Sequence, residues 1–150
     1  MIKIIIFFLF IFFDLFSKFF VKNNLELNQS ITVNEYFDLV YVQNYGVSFG
    51  FFSGTLSHWH LIIIALLVVI IIVYLMLVSK KTSEKIAYFI IIIGAIANIL
   101  DRIINSFVVD FISIHYRGFY WPAFNLADIY ITIGIIMLIM SFFKVSEENK

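Results

Sequence analysis

From Leu61 to Val78 the chain reads LIIIALLVVIIIVYLMLV, without one charged side chain. A helix rises about 1.5 Å per residue and a bilayer core is about 30 Å thick, so about 20 apolar residues cross it. The stretch 59–78 is therefore predicted to be a membrane helix that faces lipid or serves as scaffold. Three more stretches are read the same way: Ile2 to about Val21, Ile86 to about residue 104, and Ala127 to about Phe143. Composition agrees. Of the 150 residues 63% are hydrophobic and 13% charged, with a mean hydropathy of +1.03, where soluble domains are near half apolar and a quarter charged. The expectation is an all-α integral membrane protein of one domain, 1–150, with four transmembrane helices.

Lys3 ahead of an apolar run is also the pattern of a signal peptide. The run, however, continues past Asp14 and Lys18 into FFV, and no small-x-small cleavage site comes after it. Asp14 and Lys18 are four apart and lie on one helix face, where they can neutralise each other. Lys18 can also reach toward the interface along its own stem. Residues 22–57 are the most polar part of the chain. Within them Ile31, Val33, Phe37, Leu39 and Tyr41 alternate with polar or smaller residues, which predicts a small β element over about 26–57. Asn44, Gly46, Gly50 and Gly54 mark turns in its second half.

Positive charge orients the spans. Lys80, Lys81 and Lys85 fall between the second and third, and Lys3, Lys144 and Lys150 fall at the two ends. In a four-span chain these regions share a side. The opposite loops hold Lys22 and Arg117 among Glu26, Glu35, Asp38 and Asp110. Both termini are thus expected in the cytoplasm, with the β element and the 105–126 loop on the outer side.

No cysteine is present, so disulfides, thiol catalysis and cysteine metal sites are excluded, and the zero net charge gives no field for nucleic acid. What remains for chemistry is concentrated in NILDRIINSFVVDFISIHYRGFYWPAFNLAD, Asn98 to Asp128. An Asp at the centre of a membrane helix costs about 2.5–3.5 kcal/mol, and this stretch keeps Asp101, Asp110 and Asp128. Asn98, Asp101 and Arg102 share a helix face, and an Asp101–Arg102 pair with Asn98 bonding across to another helix would be a structural role. Asn125 is placed to cap the fourth span, with Asp128 in its first turn, where an acid also complements the helix dipole. Trp121 and Pro122 mark the approach to that helix.

Two carboxylates that meet at a partly desolvated site share a proton, one titrating high and the other low. One can then activate water while the other protonates a substrate carbonyl, which is the arrangement of aspartic proteases. Asp14, Asp101, Asp110 and Asp128 all fall at or near the outer end of the spans, where such a meeting requires the tertiary fold. Ser17, Ser48 and Ser53 lack a His or Lys partner on a shared face. His58, His60 and His115 lack the spacing of a zinc helix, although a site of two Asp and one His is conceivable.

The motifs of this chain resemble those of signal peptidase II, the prolipoprotein signal peptidase of bacteria. DLFSK at Asp14–Lys18 is similar to the family's D-x-x-S/T-K, and NYGVSFG at Asn44–Gly50 to its N-x-G-x-A/S-F/W-G/S. GAIANILDR at Gly94–Arg102 resembles the G-G/A-x-x-N-x-x-D-R box. VVDF at Val108–Phe111 and FNLAD at Phe124–Asp128 resemble the two boxes with the catalytic aspartates. Five boxes in order over nearly the whole chain carry the resemblance. It implies that Asp110 and Asp128 are the catalytic dyad. Asn44, Asn98, Arg102 and Asn125 would contact substrate or shape its pocket, with Asp14, Lys18 and Asp101 in support. It also implies cleavage before the diacylglyceryl-cysteine of lipid-modified prolipoproteins, without metal or cofactor, by a monomer among membrane lipids of the bacterial inner membrane. A β-cradle over 26–57 and a short helical flap over Ile112–Tyr120, both on the periplasmic side, come with it. Two positions depart from the pattern: Ala97 and Ser106 stand where the family usually has Gly. A site near the outer face suits a lipidated substrate that enters sideways and a water that enters from outside. Two other readings place Asp and Asn inside a bundle: a small transporter or proton-conducting protein, and a non-catalytic membrane scaffold.

Overall fold

The computed structural model describes residues 1–46 and 56–148. Residues 47–55 of the expected 26–57 β element, with Val47–Gly50 of the NYGVSFG box and Gly54 among them, lie outside them. In chain order the elements are α1 (Ile2–Asn24), β1 (Ser30–Asn34), β2 (Phe37–Asn44), α2 (His58–Val78), α3 (Thr82–Asn105), β3 (Val108–Tyr116), β4 (Phe119–Tyr120) and α4 (Leu126–Glu148). The described residues contain four helices long and apolar enough to cross a membrane. The helix is the form in which a lone segment bonds all its backbone groups in lipid.

The helices differ in what they bury. On α2 only Leu61, Ile62 and Val69 are fully buried, as the uncharged run predicts for a lipid-facing span. α3 is the central helix, packed on α1, α2 and α4. Its contact with α4 is built from small residues. A Cβ on Gly94 would come within 2.3 Å of the Ala127 carbonyl oxygen, and one on Gly134 within 2.7 Å of that of Ala87. Apolar transfer gives little drive for helices to associate in lipid, so close backbone approach of this kind substitutes for it. Ala97 is fully buried in the same seam with Ile11, Ile93 and Ala127.

The strands form one antiparallel sheet in the order β1-β2-β3-β4. β2, from the first polar loop, pairs with β3, from the second, in the register Val42↔Asp110, Gln43↔Val109, Asn44↔Val108. A bulge between Leu39 and Val42 breaks the expected alternation, so that Asp38 and Tyr41 are the buried residues of β2. Beneath the sheet, Val21 and Leu25 at the end of α1 pack with Tyr41, Phe107, Val109 and Phe111.

Two expectations are corrected here. The four helices carry a small β element as expected, but it is a four-stranded sheet that draws on both polar loops rather than on 26–57 alone. The segment Ile112–Tyr120 is not a helix but most of a β-hairpin, β3–β4. Its residues explain why: VVDFISIHY is rich in β-branched and aromatic side chains, which suit a strand. Arg117 and Gly118 both have positive φ, 49° and 83°, between the paired Tyr116 and Phe119. That is the two-residue turn whose twist matches a hairpin.

Candidate active site

The site begins at the start of α4, where helix geometry leaves backbone N–H groups without partners. Asn125 is the cap. Its Oδ1 accepts from the Asp128 N–H at 3.0 Å, and Asp128 Oδ2 accepts in return from the Asn125 N–H at 3.2 Å. This is a capping box, with Asn and Asp in the roles usually held by Ser or Thr and Glu. Between them, the Ala127 N–H donates to Asp14 Oδ1 at 2.8 Å, so α1 supplies a cap as well.

The Asn125 side chain also reaches the second carboxylate. Its Nδ2 donates to Asp110 Oδ1 at 2.7 Å. Asp110 Oδ2 accepts from Asn44 Nδ2 at 3.0 Å. Thus Asn125 touches both Asp110 and Asp128, holding carboxylates that arrive on a strand and on a helix. Asp110 is 3% exposed. Burial pushes its carboxyl up to about 7, and the charge of Asp128 adds to the effect, while the bonds from Asn44 and Asn125 oppose it.

Asp128 is held from the other side by α3. Asn98 Nδ2 donates to Asp128 Oδ1 at 2.9 Å, and Asn98 Oδ1 accepts from Lys18 Nζ at 2.7 Å. The ammonium of Lys18 is buried, 2.8 Å from Asp14 Oδ2 and 3.6 Å from Asp101 Oδ2. A buried cation between two carboxylates meets the requirement that charge in such a place be paired.

The structure brings eight of the nine expected site residues into one continuous set of contacts: Asp14, Lys18, Asn44, Asn98, Asp101, Asp110, Asn125 and Asp128. Arg102 joins by another route. The expected Asp101–Arg102 ion pair is absent, because neighbours in sequence on a helix point in different directions. Asp101 instead accepts from Asn105 Nδ2 at 2.7 Å and from the Val109 N–H at 2.8 Å. Arg102 donates to the Gly46 carbonyl at 2.6 Å, and the Gly46 N–H closes a turn on Asn44 Oδ1 at 2.9 Å. The guanidinium therefore steadies the loop that presents Asn44.

Sequence reasoning missed Asn105, which donates to Asp101, and Lys22, which donates to Asn105. The signal was available: Asn105 is one helical turn beyond Asp101, and Lys22 one turn beyond Lys18. It also missed a pair at the far end of the sheet, where His115 Nε2 lies 3.3 Å from Asp38 Oδ1. Among the described residues no group of three or more His, Asp or Glu side chains is placed to hold a metal ion.

Residues 6–144 match the family model described as signal peptidase (SPase) II. The lipoprotein signal peptidase of Pasteurella multocida is 37% identical over 135 residues, covering 87% of this chain and 82% of the relative. That of Haemophilus influenzae (strain Rd) is 40% identical over 142 residues, covering 91% and 82%. A bacterial membrane enzyme solved by the in meso method at 2.3 Å resolution superposes with a TM-score of 0.89 at 27% identity, covering 99% of this chain and 91% of its own.

Proposed function

The chain belongs to the signal peptidase II family, a family of membrane peptidases, and on that footing we propose that it cleaves the signal peptide from diacylglyceryl-modified prolipoproteins, before the lipidated cysteine. In this reading Asp110 and Asp128 form an aspartic dyad. The observation that carries it is the Asn125 side chain, bonded to Asp110 and to the backbone of Asp128, within a site that also buries Asp110.

With Asp110 pushed up to about 7, the pair holds one proton near neutral pH, on Asp110. The Asp128 carboxylate takes a proton from water as that water attacks the scissile carbonyl. Asp110 protonates the carbonyl oxygen, and a proton then passes to the leaving amine. Asn98, with Lys18 behind it, orients Asp128, and Asn44 and Asn125 aim Asp110. Asp14 and Asp101 neutralise Lys18 and fix the backbone at Ala127 and Val109.

The lysines between α2 and α3 and at the two ends support a cytoplasmic location for both termini. The sheet and dyad then lie at the outer face of the bacterial inner membrane, within reach of a substrate held by its lipid. The β3–β4 hairpin, rooted two residues beyond Asp110, takes the part of a flap.

The test is incubation of purified full-length protein with lipidated and unlipidated prolipoprotein, reading cleavage on a gel and the new N-terminus by mass spectrometry. Only the lipidated form is expected to be cut, with the modified cysteine first in the product. A transporter or scaffold gives no proteolysis. Asp110→Asn and Asp128→Asn should each abolish cleavage while the protein stays inserted, and near-normal turnover by either would refute the dyad.

A further inference from the structure

α1 and α3 meet in two polar rungs of the same make-up, and the proposed mechanism uses only one. Lys18 and Lys22 on α1 are four residues apart, and Asn98 and Asn105 on α3 are seven apart, so each pair shares a helix face. In the first rung Lys18 Nζ donates to Asn98 Oδ1 at 2.7 Å, and Asn98 Nδ2 donates to Asp128 Oδ1 at 2.9 Å. In the second, Lys22 Nζ donates to Asn105 Oδ1, and Asn105 Nδ2 donates to Asp101 Oδ1 at 2.7 Å. An ammonium only donates and a carboxylate only accepts, so each amide has a single orientation, set from both sides.

The first rung ends on Asp128. The second continues to the other carboxylate. Asp101 Oδ2 accepts the Val109 N–H at 2.8 Å, one residue before Asp110. Val109 is completely buried, packed with Val21, Leu25, Tyr41, Phe107 and Phe111. Its neighbour Asp110 projects from the opposite face of the strand. Whatever fixes the Val109 backbone therefore fixes the point from which Asp110 leaves it. Lys22 also sits over the ring of Phe107, 5.7 Å from its centroid, in the link between α3 and β3.

From this geometry we infer that Lys22 and Asn105 are positioning residues for Asp110: they orient Asp101, whose hold on the Val109 N–H sets where β3 presents Asp110 to Asn44 and Asn125. The inference rests on the reading of Asp110 and Asp128 as the working pair. Neither residue touches the dyad. Each acts through Asp101, and the rung gives the strand-borne carboxylate a support matching the one Lys18 and Asn98 give the helix-borne one.

The experiment is steady-state cleavage of a lipidated prolipoprotein by full-length protein in detergent, with Lys22→Met, Asn105→Leu, the double variant, Lys22→Arg and Asp110→Asn. Lys22 is exposed, so its variants fold. Each single change is expected to lower kcat about tenfold, the scale of a small misplacement at a reacting group. KM should stay within about twofold, since an interaction felt in the transition state is what weakens. Because the two residues act along one path, the double variant should lose no more than the worse single one. Lys22→Arg, which still donates to Asn105, should recover most of kcat. Wild-type kcat in Lys22→Met and Asn105→Leu would overturn the inference. So would losses that multiply in the double variant, or losses that track the fall in melting temperature with no change in kcat per folded molecule. If Asp110→Asn is inactive while both single variants turn over normally, only the positioning role fails. If Asp110→Asn itself cleaves normally, the dyad reading fails.

Discussion

The two halves of α3 solve different problems. From Ala87 to Ala97 it meets α4 through glycine and alanine, with Gly94 and Gly134 pressed against the backbone of the opposite helix. From Asn98 to Asn105 the same helix carries amides, a carboxylate and a guanidinium, each bonded to a different element. The first half sets depth by steric contact, and the second sets chemistry by hydrogen bonds. The halves depend on each other, because Gly94 rests on the Ala127 carbonyl, one residue before Asp128. A helix that could not approach so closely would hold Asn98 away from its carboxylate.

The sharpest way to break this comparison is to change the polar half while leaving the packing intact. Asp110→Asn and Asp128→Asn keep size and shape, and on the proposed dyad reading each is expected to lower kcat by about 10²–10⁴-fold, the scale of a lost general acid or base. The melting transition should persist in both. Loss of folded protein instead of loss of turnover would mean that the polar half is structural too.

A pH titration is the next largest effect. The folded chain holds the Asp110 proton up to about 7, against an ordinary value of 3.8. Proton binding therefore favours the folded state fully below the ordinary value, and the benefit is lost as pH rises through about 7. The loss is about 4 kcal/mol between pH 4 and pH 8. On the proposed dyad reading, activity should fall over the same upper range, as the pair would lose its shared proton. Melting curves from pH 4 to 8 should show the decline in the wild type and a clearly smaller one in Asp110→Asn. A flat wild-type profile would put Asp110 outside the buried pair.

Gly94→Ala tests the other half. Its new Cβ meets a backbone oxygen, which cannot swing away as a side chain would. A cost of about 2 kcal/mol is expected, with a lowered melting temperature and reduced kcat together, since Asp128 moves with Ala127. A stable variant with reduced kcat would mean that the crossing tunes the site rather than the fold.

How much of the molecule was legible depends on range in sequence. The spans are local facts of composition. The Asn125–Asp128 cap is local too, three residues apart, and the spacing gave it. The bond from Asp14 to the Ala127 N–H joins residues 113 apart, and no periodicity points to it. Asp101 is instructive because its helix face was read correctly and its partner was not. Spacing gives direction, but the choice among Lys18, Asn105 and Arg102 depends on which elements pack there. The hairpin was hidden differently. A helix over Ile112–Tyr120 came with the family resemblance, while the β-branched run and the glycine turn spoke for a strand.

The smallest expected effect lies between the two regions, where α3 gives way to β3. Ser106 has φ of 68°, and its N–H closes the helix on the Arg102 carbonyl at 2.9 Å. A Cβ is crowded in that left-handed conformation, and glycine, which the related motif usually has here, adopts it freely. The turn is tolerated with serine because it is held on both sides, by Arg102 before it and by the Asp101 bond to Val109 after it. Ser106→Gly should therefore relieve strain without moving either neighbour. It should raise stability by about 1 kcal/mol, read as a melting temperature a few degrees higher in detergent, with kcat unchanged. Ser106 is exposed and bonds to neither carboxylate, so a change in kcat would show that the turn itself helps set Asp110. An unchanged melting temperature would show that glycine's extra freedom in the unfolded chain cancels the strain relieved.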